Sequence, residues 1–245
     1  MNAISLPQPT NAADKAKYAA ASRAADYVSD GMKVGLGTGS TAAWLVRILG
    51  ERVGKGLQIT CVPTSTRTRE LAEQCGIATT TLDAAGRLDV VIDGADEFDD
   101  AMTLIKGGGG ALLQEKIVAS AADKMVVITD PSKHVATLGR YPLPIEVVRF
   151  GAETTRADVE RILADEDVGG RETSWRMKDG ERFVADEAHF ILDLHLQEIA
   201  DASGLSARLL ALPGVVETGL FIGMATSVVI GLEDGSARVI EQATA

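Results

Sequence analysis

The chain has 245 residues, 46% of them apolar and 24% charged, which predicts an ordinary soluble globular protein with one large domain, or one large and one small. Its 24 basic residues against 35 acidic ones leave a formal net charge of −11, a sign that opposes wrapping a polyanion and argues against nucleic acid as a partner. Two cysteines without zinc-type spacing, no basic segment leading into an apolar run, and no stretch approaching about 18 apolar residues predict neither a disulfide framework, an export signal nor a membrane span, and point to the cytoplasm.

Residues 1 to 10 carry two prolines and no periodicity and read as a loose tail. From Asn11 to Val28, Tyr18, Ala21, Ala25 and Val28 recur at helical spacing in an Ala-rich segment. MKVGLG reads as a short buried strand, TAAWLVRILGERV as a helix, QITCVP as a strand, and Thr64 to Cys75 as a helix ended by Gly76. IATTTL and LDVVIDG are further strands, ALLQEKIVASAA a helix, and KMVVITD a strand. This alternation predicts an α/β fold with a parallel sheet covered by helices on both faces. After Pro142 and Pro144 the pattern changes to a strand at IEVVRF, a helix at TTRADVERILADE, short polar strands near TSWRMK and ERFVA, an apolar strand HFILDLHL and a helix ending near Leu212. That is a smaller α+β domain over residues 142–217, leaving 1–141 and 218–245 to the larger one, to which the strands of GLFIGMATSVVIGLEDGSARVI return.

Ligands of open parallel sheets bind beyond the carboxyl ends of the strands, and three segments there carry chemistry. In GLGTGST, Gly35 to Thr41, glycines allow close backbone approach while helix-start N–H groups and the hydroxyls of Thr38, Ser40 and Thr41 suit a phosphate. No acidic residue ends the next strand and no G-K-S or G-K-T follows, so a small phosphorylated ligand fits better than a nucleotide. In DGADEFDD, Asp93 directly follows three apolar strand residues, and Asp96 and Glu97 stand in the next turn. The segment lacks the alternating D-x-D-x-D-G oxygens of a calcium loop. In KGGGGALLQEKIV, four glycines after Lys106 leave backbone N–H groups uncovered ahead of a helix, an anion nest beside a cation. Glu115 lies in the first turns of that helix, where an isolated Glu usually faces solvent. A phosphate cradle, a Lys beside a nest and at least two carboxylates suit proton abstraction next to a carbonyl, with donors stabilising the enediolate oxygens.

GLGTGST, VVIDGADE and IKGGGGALLQEKI, with TDPSKHVATLGRYPLPIEVV and ALPGVVETGLF after them, resemble the A-type ribose-5-phosphate isomerase family from about Ala12 to Ile240. The resemblance implies a Rossmann-like catalytic domain with a smaller ferredoxin-like α+β domain, acting on a sugar phosphate in the non-oxidative pentose phosphate pathway. It implies Glu115 as the base between C1 and C2. By the same resemblance Asp93 and Asp96 would hold sugar hydroxyls, with Asp93 also assisting ring opening and proton movement between O1 and O2, and Gly94 and Ala95 would complete that segment. Lys106 with Gly107, Gly108 and Gly109 matches the segment that supports the anionic oxygens. Thr38, Gly39, Ser40 and Thr41 match the phosphate-binding segment, and Lys133 and Lys17 match two further substrate-binding lysines. No metal and no organic cofactor are expected, and a homodimer or homotetramer is.

The chain departs from the family pattern in a fourth glycine, Gly110, where the family often has Ala, and in Phe98, where a smaller aliphatic is common. The first ten residues and the final QATA lie outside the match. His134, His189 and His195 share no ligand spacing and, like Trp44 and Trp175, are expected to be structural. The alternative is a non-catalytic sugar-phosphate sensor of related fold, which normally adds a DNA-binding helix-turn-helix that residues 1 to 30 do not provide. A second rival, acyl transfer from coenzyme A through a glutamate nucleophile, leaves Asp93, Lys106 and TGST unused.

Overall fold

The computed structural model describes residues 7–242; the first six residues of the expected tail and the last three of QATA lie outside it. Asn11 caps the first helix, α1 (Ala12–Ala24), by accepting the Asp14 N–H, and a 3₁₀ turn over Ala25–Tyr27 ends it. There follow β1 (Lys33–Leu36), α2 (Ser40–Gly54), β2 (Thr60–Pro63) and α3 (Thr66–Gln74), the last capped by Ser65. The expected strand over IATTTL shrinks to β3 (Ala78–Thr79), because the Thr81 hydroxyl accepts the Ala84 N–H and starts a single helical turn, α4 (Leu82–Ala85). Next come β4 (Val90–Gly94), two short strands inside the acidic and lysine segments, β5 (Glu97–Phe98) and β6 (Leu104–Ile105), then α5 (Leu112–Ser120) and β7 (Met125–Thr129). The remainder is β8 (Leu143–Val147), α6 (Ala152–Ala164), β9 (Glu172–Trp175), β10 (Met177–Lys178), β11 (Glu181–Arg182), β12 (Phe190–His195), α7 (Ala202–Leu210), β13 (Val215–Thr218), β14 (Leu220–Phe221), β15 (Ser227–Gly231) and β16 (Ala237–Glu241).

The chain separates into two compact units, the first made of residues 1–95, 114–133 and 224–245, the second of 96–113 and 134–223. This division differs from the expected one at 141/142 and 217/218. Residues 96–113 cluster with the second unit because β6 pairs with β14 and the Glu97 carboxylate accepts the N–H groups of Gly139 and Tyr141 at 2.8 and 2.6 Å.

In the first unit β16, β15, β7, β4, β1, β2 and β3 form one sheet, parallel throughout except for β16, which pairs antiparallel with β15 at the edge. Val34, Leu36, Ile92, Ile128 and Val229 pack with Ala21, Leu45 and Leu49 of α1 and α2 on one face. Side chains alternate along a strand, so Gly35 and Val91 turn to the other face. There Val118 of α5 stands 2.8 Å from where a Gly35 Cβ would lie, which is why that strand carries glycine. Both cysteines are buried thiols, and burial pushes Cys61 up to about 12.

In the second unit β13, β8, β12 and β9 form an antiparallel sheet, and α6 and α7 bury Val159, Leu163, Leu205 and Leu209 with Ile145, Leu192 and Leu194. Each histidine is hydrogen-bonded there: His134 Nε2 to Asp100 at 2.7 Å, His189 Nδ1 to Glu146 at 2.9 Å and His195 Nε2 to Ser174 at 2.8 Å. Of the final strands, β15 and β16 return to the first sheet as expected, whereas β14 stays with β6. Among the described residues no helix is long and apolar enough to cross a membrane.

Candidate active site

In the first unit, three apolar residues of β4 lead to Asp93, only 1% exposed at the carboxyl end of the strand. Its Oδ1 accepts the N–H groups of Thr38 at 3.1 Å and Gly94 at 2.7 Å. The glycine before Thr38 makes this approach possible: a Cβ on Gly37 would sit 2.5 Å from the Asp93 Cα, inside any real contact distance. The Thr38 hydroxyl lies in a cluster with the hydroxyls of Thr64 at 2.9 Å, Ser65 at 2.8 Å and Thr68 at 3.3 Å, and Thr68 donates to the Gly37 carbonyl at 3.0 Å. Thr38 is thereby tied to the end of β2 as well as to β4. Gly39, with φ 121°, caps α2 without any side-chain hydrogen bond, placing exposed Ser40 and half-buried Thr41 in the first turn, where N–H groups and helix dipole favour an anion.

Glu115, in the first turn of α5, is 3% exposed, so the solvent-facing position usual for a helical Glu is not the one it takes. Gly94 and Ala95 are half-buried past the end of β4. Lys17 is half-buried on α1 next to Tyr18, whose ring meets Trp44 of α2 edge-on at 5.6 Å. Lys133, also half-buried, ends the 3₁₀ turn Pro131–Lys133 that follows β7.

In the second unit, Asp96 accepts the Gly108 N–H through Oδ2 at 2.7 Å, joining the acidic turn to the glycine loop. Lys106 is 2% exposed, with Nζ 5.3 Å from the centre of the Phe221 ring and its N–H bonded to the Gly219 carbonyl at 2.8 Å. The glycines then turn tightly: Gly107 (φ 109°) accepts the N–H of Gly110 (φ 79°) at 3.0 Å, leaving Gly109 exposed at the tip. Gly110 lies ahead of α5 rather than in it, and a Cβ there would meet the Phe183 ring at 2.5 Å. The fourth glycine therefore accommodates Phe183, which packs with Leu112, Ala185 and Ile191. The other departure, Phe98, is buried and stacks on His134 at 4.6 Å.

Burial and the neighbouring Asp96 hold the Tyr141 phenol above its ordinary range. Sequence reading missed Tyr141 and the hydroxyl cluster. TSTRT, directly after a parallel strand, carried a signal for the cluster, whereas Tyr141 reaches Asp96 only through the fold. Among the described residues no three His, Cys, Asp or Glu side chains group as a metal site.

In the first unit, a carboxylate buried at the carboxyl end of a parallel strand, a second buried carboxylate on α5 and a helix start open to an anion define a protein equipped for proton transfer on a small anionic ligand. The model of the family ribose 5-phosphate isomerase A (phosphoriboisomerase A) matches residues 60–235. A ribose-5-phosphate isomerase A of Dinoroseobacter shibae is 60% identical over 227 residues, covering 92% of this chain and 87% of the relative. The solved ribose 5-phosphate isomerase of Plasmodium falciparum superposes with a TM-score of 0.88 at 34% identity, covering 93% of this chain and 98% of that one. A D-ribose-5-phosphate isomerase solved in complex with phospho-erythronic acid gives a TM-score of 0.84 at 33% identity, covering 92% of this chain and 97% of that one. The chain belongs to the ribose 5-phosphate isomerase A family.

Proposed function

We propose that the chain interconverts D-ribose 5-phosphate and D-ribulose 5-phosphate through an enediolate, with Glu115 as the base. The observation that carries this reading is the burial of three charged side chains, Asp93, Lys106 and Glu115, to 1%, 2% and 3% exposure, in positions where charged groups are otherwise rarely found. Glu115 takes the proton from the carbon beside the carbonyl; the C–H electron pair becomes the C=C bond of the enediolate and the carbonyl oxygen gains the charge. The protonated Glu115 then returns the proton to the neighbouring carbon. Asp93 moves the proton between O1 and O2 and assists ring opening, and Asp96 holds a sugar hydroxyl. Lys106 and the glycine-loop N–H groups stabilise the anionic oxygens. Thr38, Gly39, Ser40 and Thr41 receive the phosphate at the start of α2, with Lys17 and Lys133 supplying positive charge. The relatives' shared name supports catalysis over the sensor reading.

The test is a coupled assay of the interconversion in both directions with excess chelator present. Full activity is expected, because Lys106 and the N–H donors carry the charge a metal would otherwise neutralise. Activity that chelator abolishes and a divalent ion restores would overturn that part of the reading.

The reducing cytoplasm suits the two buried thiols. A homodimer or homotetramer suits the apolar side chains left exposed in the second unit, Phe150 at 94% and Met177 at 56%. Sedimentation at micromolar concentration is expected to give a species at least twice the chain's 25.7 kDa; a single species of chain mass would refute it.

A further inference from the structure

Arg176, between β9 and β10, has no part in the scheme above, yet it is built into the second unit from every side. Its side chain is 15% exposed and makes a two-pronged pair with Asp193 of β12, at 3.0 and 2.5 Å. Its backbone N–H donates to the Ile191 carbonyl at 2.9 Å, and its carbonyl accepts the Phe183 N–H at 2.8 Å. The remaining guanidinium nitrogen, Nη1, donates to the carbonyls of Gly107 at 2.6 Å and Gly108 at 3.2 Å. A planar, always-charged fork held on a carboxylate is suited to fixing two carbonyls at once.

A trans peptide is planar, so its C=O and the following N–H point in opposite directions. With the Gly107 carbonyl on Arg176, the Gly108 N–H emerges on the far side, and there it meets Asp96 Oδ2 at 2.7 Å. The Gly108 carbonyl is also on Arg176, so the Gly109 N–H leaves the guanidinium in the same general sense. Gly109 is the exposed residue of the loop. Without a fixed donor for their carbonyls, peptides flanked by glycine turn freely.

We propose that Arg176, anchored on Asp193, is a positioning residue for isomerisation: by holding the Gly107 and Gly108 carbonyls it aims the Gly109 N–H as a donor to the enediolate oxygens. The proposal rests on the reading that the glycine loop serves the reacting end of the sugar. Arg176 acts through the loop and touches no substrate atom.

Arg176→Lys keeps the charge but cannot bridge a carboxylate and two carbonyls. Its turnover with ribose 5-phosphate is expected to fall by about 10²-fold, the scale of losing one oxyanion donor, with KM changed less than about threefold. Affinity for phospho-erythronic acid, whose carboxylate stands in for the enediolate oxygens, is expected to fall about tenfold or more, and guanidinium ion is expected to restore part of the turnover of Arg176→Ala. Arg208→Ala, which removes the Glu166 ion pair of the same unit, serves as the control for lost stability and is expected to keep parental turnover in the folded enzyme. If Arg176→Lys does not fold, the same split between kcat and KM is read from Asp193→Asn.

Turnover within about threefold of the parent in the folded variant, or a loss with unchanged affinity for phospho-erythronic acid and no rescue, overturns the proposal. Failure of the underlying reading looks different: Glu115→Gln would then retain its turnover whatever Arg176→Lys does.

Discussion

Glu115→Gln is expected to lower turnover by roughly 10² to 10⁴ or more while leaving substrate binding nearly intact. The amide keeps the shape and most of the hydrogen bonding of the carboxylate but cannot take up the proton, and nothing else in the proposed scheme does so at carbon. Because the side chain is 3% exposed, water cannot easily stand in as the base. The same measurement on Asp93→Asn should also show lost turnover. Its fold should survive, since an amide oxygen can still accept the N–H groups that Thr38 and Gly94 give to Oδ1. The decisive comparison is kcat beside the affinity for phospho-erythronic acid, with folding followed by thermal unfolding. A well-folded Glu115→Gln protein with near-normal kcat would move the base to Asp93 or Asp96.

Gly37→Ala is expected to damage stability and activity together. The added methyl meets the backbone of Asp93 at 2.5 Å, so the ends of β1 and β4 must part. Overpacking of this kind costs about 1–3 kcal/mol, which for a chain of this size lowers Tm by roughly 2–12 °C. The displacement also carries Asp93 and Thr38 out of register, and a shift of about 1 Å at a reacting group is enough for a 10²-fold loss of turnover. Gly54→Ala, at the end of α2 where a Cβ meets nothing within 4 Å, is the matched control and should change neither Tm nor turnover appreciably. Equal behaviour of the two variants would show that the Gly37 contact is not limiting.

The larger sheet was legible because each of its central strands is a short apolar run followed by glycine or a polar turn, and α1, α2 and α3 each begin or continue with clear periodicity. Two of the two-residue strands were not. β5 and β6 sit among Asp, Glu and Gly, and only their pairing with each other and with β14 makes them strands. The same blindness hid the grouping of residues 96–113 with the second unit, since the groups that hold them there are distant in sequence: Gly139 and Tyr141 for Glu97, and β14 for β6. In the site, Asp93 announced itself by ending an apolar strand. Glu115 did not: its helical context alone pointed to solvent, and only the joint pattern of motifs singled it out. Gly110 stood out in the sequence only as a departure from the family pattern, whereas Phe183, distant in sequence, is the reason for it.

The first unit is written in three separated stretches of chain, and its sheet is complete only when Ser227–Glu241 have been made. During synthesis β7 emerges with one edge open and keeps it open while the run from His134 to Gly223 follows, because its neighbour on that side is β15. Every residue of β7 is buried in the finished sheet, so this waiting edge is apolar and unprotected, the kind that recruits a strand from another nascent chain. None of the proposed site residues lies in β15 or β16. A ribosome stalling or a frameshift just before Ser227 would nevertheless yield a chain with a full complement of site residues and a permanent sticky edge, its defect appearing as aggregation in the cell rather than as impaired chemistry.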